Sequence, residues 1–203
     1  MKGITKIVML ASAFAINTVQ AKPVTINYTV DNTMLHLGLC ANTGCTDLTN
    51  PTNFSTLFST GANVSNWQNA DSFTLDLAPG TYEFGFVVNN FGIGSTGNPA
   101  GLLAEILWDG NINVSSSAWD VTTNGVDFVS ATEWARNGTG IWGNKLLGEI
   151  SSDAKWLWTE NNFSDKTENI AAFRTSITVP APATLGILGL GLFGLGLLRK
   201  RSA

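Results

Sequence analysis

One histidine, two cysteines and fifteen carboxylates are the side chains from which this 203-residue chain would have to build chemistry. A Ser-His-Asp or Cys-His system would have to use His36, because there is no other imidazole. His36 alternates with apolar neighbours over residues 34–39, as a strand residue does, and no nucleophile-bearing turn lies nearby. Cys40 and Cys45 frame Cys40-Ala41-Asn42-Thr43-Gly44-Cys45. In an oxidising compartment that spacing closes a local disulfide and removes the thiolate a nucleophile needs. Structural zinc wants four ligands and there is no second cysteine pair, so no metal site is assigned. Asp109-Gly110-Asn111-Ile112-Asn113 puts oxygen side chains at alternate positions but lacks the glycine and distal glutamate of an EF-hand loop. A hairpin turn explains the same residues. Fifteen acids could furnish the two carboxyls of a glycoside hydrolase, yet no spacing selects a pair. The chain has neither a phosphate-cradling glycine loop nor a dinucleotide fingerprint.

Seven tryptophans offer a different chemistry. Sugars present C–H groups that pack on flat aromatic faces, while their hydroxyls meet Asp, Asn, Gln and Arg. Trp67, Trp134 and Trp142 lie among such polar neighbours, and Trp142 sits in the glycine-rich run Asn137-Gly138-Thr139-Gly140-Ile141-Trp142-Gly143-Asn144. This nominates Trp134, Arg136, Asn137, Trp142 and Asn144 as a ligand-binding group, with Arg136 able to meet an acidic sugar. A competing reading makes these rings core or loop plugs, the common fate of large aromatics. Trp108, Trp119, Trp156 and Trp158 stand on strand-like stretches and read as core.

The elements that would position these residues lie between two atypical ends. At residues 1–21, Lys2 and Lys6 precede an apolar run over 7–16, and Val19-Gln20-Ala21 supplies small residues for cleavage: a secretory signal peptide. At residues 179–203, Pro180, Ala181 and Pro182 precede a stretch without a polar side chain from Leu185 to Leu198, followed by Arg199, Lys200 and Arg201. That stretch, about seventeen residues counted from Pro182, is at the short end for a transmembrane helix. The basic cluster would hold its end in the cytoplasm. Five of the eleven basic residues fall in these ends, so the middle carries fifteen acids against six bases, a formal charge of −9. Such a surface repels phosphates and excludes nucleic acid as a partner.

The order of short proline motif, apolar span and basic cluster resembles the PEP-CTERM sorting signal of Gram-negative bacteria that make extracellular polysaccharide. In that family the tripeptide is usually Pro-Glu-Pro, where this chain has Pro180-Ala181-Pro182. The resemblance implies a partner, an exosortase, which cuts near the proline motif after the inner membrane has held the protein in transit. It places the protein at the cell surface or in the extracellular matrix.

Residues 22–178 read as one all-β domain. Strand patterns fall at 24–30, 34–39, 72–77, 81–89, 102–108, 111–115, 126–129, 156–158 and 173–179, and residues 130–136 read as a short helix. Many short strands with Gly/Asn/Pro turns predict a single antiparallel β-sandwich or jelly roll. Segments such as Phe73-Thr74-Leu75-Asp76-Leu77-Ala78-Pro79-Gly80-Thr81, Asn98-Pro99-Ala100-Gly101-Leu102-Leu103-Ala104-Glu105 and Phe173-Arg174-Thr175 resemble the galactose-binding-like jelly roll found beside rhamnosidase catalytic domains. Relatives of that fold often carry a structural calcium, for which Asp31 qualifies by position alone; no other cofactor is expected. The sequence therefore predicts an exported, surface-sorted, non-catalytic protein that binds or scaffolds extracellular polysaccharide. A glycan-processing enzyme with a carboxylate pair and a purely structural matrix protein are the alternatives.

Overall fold

The computed structural model describes residues 20–40, 45–48, 50–62, 66–92, 94–95, 97–159 and 169–181. Residues 1–19 of the expected signal peptide and most of the sorting tail, including Pro182, Arg199, Lys200 and Arg201, lie outside them. Among the described residues no helix is long and apolar enough to cross a membrane. The unit formed by Ala21–Pro180 is described here by itself.

Twelve strands make up the described part of this unit: β1 (Lys22–Asp31), β2 (Thr33–Cys40), β3 (Phe54–Ala62), β4 (Asp71–Leu77), β5 (Gly80–Asn89), β6 (Gly101–Trp108), β7 (Asn111–Val114), β8 (Asp120–Thr122), β9 (Val129–Ser130), β10 (Thr132–Arg136), β11 (Lys155–Trp158) and β12 (Ile170–Val179). They form two antiparallel sheets packed as a sandwich. Sheet I runs β10-β11-β6-β1-β4, with β7 on β6, and sheet II runs β3-β2-β5-β12-β8-β9. Period-2 alternation supplies the interior. Val24, Ile26, Tyr28 and Val30 of β1 face Phe84, Phe86 and Val88 of β5 and Phe173 of β12 in one central cluster with Trp119 and Leu102.

The residues between these inward rows point outward, and part of each outer face is itself covered. On sheet I, Leu103, Trp142, Leu147, Ile150, Ala154 and Trp156 form a second apolar cluster. On sheet II, Cys40, Cys45, Leu48, Phe54, Val87 and Ala172 form a third.

Two sequence expectations need correction. Residues 130–136 are not helical, because Thr132, Glu133 and Arg136 pair with β11; cross-strand pairing overrides a locally helix-compatible composition. Of residues 126–129 only Val129 enters a strand. At Asp31-Asn32 the chain changes sheets: Asp31 ends a strand of sheet I and Thr33 begins one of sheet II. The hairpin at Asp109-Gly110 is as expected, with positive φ at both residues (48° and 76°), the geometry that favours an Asp-Gly pair.

Candidate functional site

The residues nominated from sequence fall on the outer cover of sheet I. Trp142 ends a 3-10 turn (Gly140–Trp142) and is only 2% exposed. Its ring stacks on Trp156 at 4.3 Å with planes 9° apart, and its Nε1 donates to Asp31 Oδ2 at 3.1 Å. The loop turns back on itself through Gly138, Gly140 and Gly143, all at positive φ, and this drives the ring inward. Gly101 makes the room below: a Cβ there would sit 2.8 Å from both Trp142 and Trp156. The expected exposed stacking face on Trp142 is therefore an internal packing surface.

Asn137 is buried as well. Its Nδ2 donates to the carbonyls of Leu147 (2.9 Å) and Ile150 (2.7 Å), and its Oδ1 accepts from the Leu147 amide (3.0 Å). Such a fully used amide fastens the 137–151 loop to itself. Trp134 is half-buried and touches both the central and the outer cluster. Arg136 and Asn144 alone reach the surface fully, and Arg136 meets Asp153 across an exposed 3.8 Å pair that contributes little.

Two carboxylates lie under this cover. Asp31 is 4% exposed, and burial pushes its pKa up to about 6 against the pull of hydrogen bonds from Trp142 and Asn32. Asn32 Nδ2 donates to Asp31 Oδ1 and Trp142 Nε1 to Oδ2, so each oxygen of this carboxylate accepts an N–H. Glu105 receives Asn27 Nδ2 at 2.8 Å on one oxygen and the Ser151 amide at 2.7 Å on the other. In the β1–β6 ladder Asn27 faces Glu105 and Asp31 faces Gly101, which sets the two carboxylates four rungs apart. His36 is half-buried, its pKa lowered by desolvation, with its Nδ1 unbonded among the described residues.

Sheet II carries the open site. β8 covers β12 only from Ala172 to Arg174. Beside that junction lies a pocket of about 450 Å³, lined among others by Glu83, Asn113, Asp120, Arg174, Thr175 and Ser176. Trp119, fully buried, contributes to its lining and donates Nε1 to Asn113 Oδ1 at 2.9 Å. Asn113 Nδ2 in turn donates to Thr175 Oγ1 at 3.0 Å, tying β7 of one sheet to β12 of the other. The Arg174 guanidinium is held on several sides. Its Nε and Nη2 reach Asp120 Oδ2 at 3.0 Å, its Nε lies 3.6 Å from Glu83 Oε1, and its Nη1 donates to the Cys45 carbonyl at 3.3 Å. Phe128 covers its face at 3.8 Å. Arg174 thus bridges Glu83 and Asp120.

The disulfide Cys40–Cys45 is formed, with Cα atoms 5.1 Å apart. The Cys45 amide donates to Glu83 Oε2 at 3.2 Å, so the bridge braces one wall of the Arg174 cluster. Glu83 lies near both sulfurs, but bonded sulfurs offer no thiolate to a metal. Sequence reasoning missed this site because Glu83, Asp120 and Arg174 stand on three strands far apart in the chain. One signal was available: Arg174 is the only charged residue in Ile170–Val179.

No curated protein and no solved structure matches this chain. The family model described as the PEP-CTERM protein-sorting motif matches residues 178–201. The chain therefore carries a PEP-CTERM sorting motif, which marks it as an exported protein, held at the membrane in transit and processed by an exosortase.

Proposed function

We propose that this protein is a non-catalytic component of the Gram-negative cell surface or extracellular matrix, where it binds polysaccharide. The observation that carries this reading is the open polar pocket on a rigid sandwich, walled by Asn113, Asp120, Thr175 and Ser176. Hydroxyl, amide and carboxylate groups fixed by packing suit a hydroxyl-rich ligand, because their order is established before binding and little entropy is lost. The site differs from the one nominated from sequence, since Trp142 and Asn137 are spent on packing. Arg136 and Asn144 remain exposed and could extend contact over the other face.

Ser176→Tyr would fill the pocket from an exposed wall position. Binding of the full chain to polysaccharide from its host is then measured by calorimetry. Wild-type binding that the variant loses, without change in melting temperature and without release of shorter sugars, supports the reading. Sugar release would make the protein an enzyme. Absence of any binding would leave it a structural element.

A further inference from the structure

The matched sorting motif begins at Thr178, but β12 does not end until Val179. Thr178 and Val179 are still in the ladder, facing Thr81 and Gly80 of β5. Val179 is 1% exposed, the Trp108 indole donates to the Thr178 carbonyl at 2.9 Å, and the Thr178 and Thr81 hydroxyls meet at 3.1 Å. The signal thus starts inside a paired strand, with no spacer between folded body and proline motif. Only Pro180-Ala181-Pro182-Ala183-Thr184 separates Val179 from the apolar run that starts at Leu185. Five residues reach at most about 18 Å, and the proline motif itself lies within about 10 Å of the strand end.

The surface around that exit is firm. The β4–β5 turn is held by Tyr82 Oη donating to the Ala78 carbonyl at 2.8 Å, and the β6–β7 turn by the Lys22–Asp109 ion pair at 2.6 Å. Ala78, Thr81, Asp109 and Asn111 are exposed there. A protease is tens of ångströms across, so one that cuts a peptide within about 10 Å of a folded body has to touch that body. We infer that this end of the sandwich, formed by the β4–β5 and β6–β7 turns beside the β12 exit, is a contact surface for the membrane-embedded processing enzyme. The inference rests on exosortase processing of the tail and adds that the folded domain, not the tail alone, takes part in the encounter.

The test follows tail loss over time by mass spectrometry in the native host, using the full chain. The double variant Ala78→Arg/Asn111→Arg places two bulky charges beside the exit, and Phe91→Arg places one at an exposed position outside this end. A third variant adds a Gly/Ser linker of about 12 residues between Val179 and Pro180, enough for roughly 20 Å of separation, in both the wild-type and double-variant backgrounds. The expected result is about tenfold slower processing of the double variant, the scale on which misplaced interface charge acts. Phe91→Arg should process normally, and the linker should restore the double variant. Equal melting temperatures of the exported forms exclude a folding defect. Wild-type processing of a folded double variant would overturn the inference, as would a slowed variant that the linker does not rescue. If the wild-type surface form keeps Ala203, the processing reading itself fails, and the inference with it.

Discussion

The two outer faces of the sandwich are covered in opposite ways. On sheet I the cover is indole on indole, with Trp142 on Trp156, a loop fastened by Asn137, and two carboxylates held by neutral donors. On sheet II the cover is a disulfide and an arginine between two acids, and a pocket lies beside the β8–β12 junction. The first arrangement gains from excluding water and would lose by opening. The second keeps charged groups at the rim of a pocket, where water already reaches them. The loop richest in apparent sugar-binding residues is thus packed shut over Trp142, while a pocket lies beside strands that read as ordinary.

The sharpest way to break this contrast is to truncate one ring on each face. Trp142→Ala should lower unfolding free energy by about 4 kcal/mol, the cost of a large cavity plus an unpaired acceptor on Asp31. Phe128→Ala, which uncovers a half-exposed guanidinium, should lower it by about 1 kcal/mol. Urea titrations giving equal losses would show that the two covers are not different in kind. Removing the bridge with Cys40→Ser/Cys45→Ser should cost about 2 kcal/mol, since the loop it closes is short. Alkylation of freshly exported wild-type protein should find no free thiol.

Acidity separates two carboxylates of sheet I. The folded-state pKa of Asp31 is raised to about 6 from 3.8, so the folded state holds this proton more tightly than the unfolded chain does. The stability it contributes is fully present below pH 3.8 and is lost as pH rises through about 6. The stability of wild type relative to Asp31→Asn should therefore rise by about 2 kcal/mol between pH 7 and pH 4, after allowance for solvent screening. Glu133 behaves in the opposite sense: its hydrogen bond from Lys155 lowers its pKa from 4.5 to about 2, so its contribution is present above pH 4.5 and is lost as pH falls from there through about 2. A flat difference curve for Asp31→Asn would mean that water reaches the carboxylate beneath the indoles. The smallest effect belongs to Arg136→Ala, which should change unfolding free energy by less than about 0.5 kcal/mol, as expected of an exposed ion pair.

Much of the fold was legible because alternation encodes the sandwich directly. Phe73, Leu75 and Leu77 against Ser72, Thr74 and Asp76 announce β4 from sequence alone. Phe54–Ala62 and Asp120–Thr122 were not legible: the first is an edge strand of mixed polarity and the second has three residues. The site was less legible still. Glycine, threonine and asparagine around Trp142 read as an open loop, and nothing local says that its indole meets a carboxylate 111 positions away. The cysteine pair could be read because its partners are five residues apart. Arg174, Asp120 and Glu83 meet only after two sheets have formed.

The full-length pairing of β12 with β5 has a mechanical consequence. All ten residues of β12 are matched to β5, from Ile170 opposite Asn89 to Val179 opposite Gly80. Tension applied through Val179 and resisted at the far end of the sandwich runs parallel to this strand. The rungs are then sheared together rather than peeled one after another, and their resistances add. The strand by which the chain leaves the domain is thereby one that resists such a pull along its whole length at once.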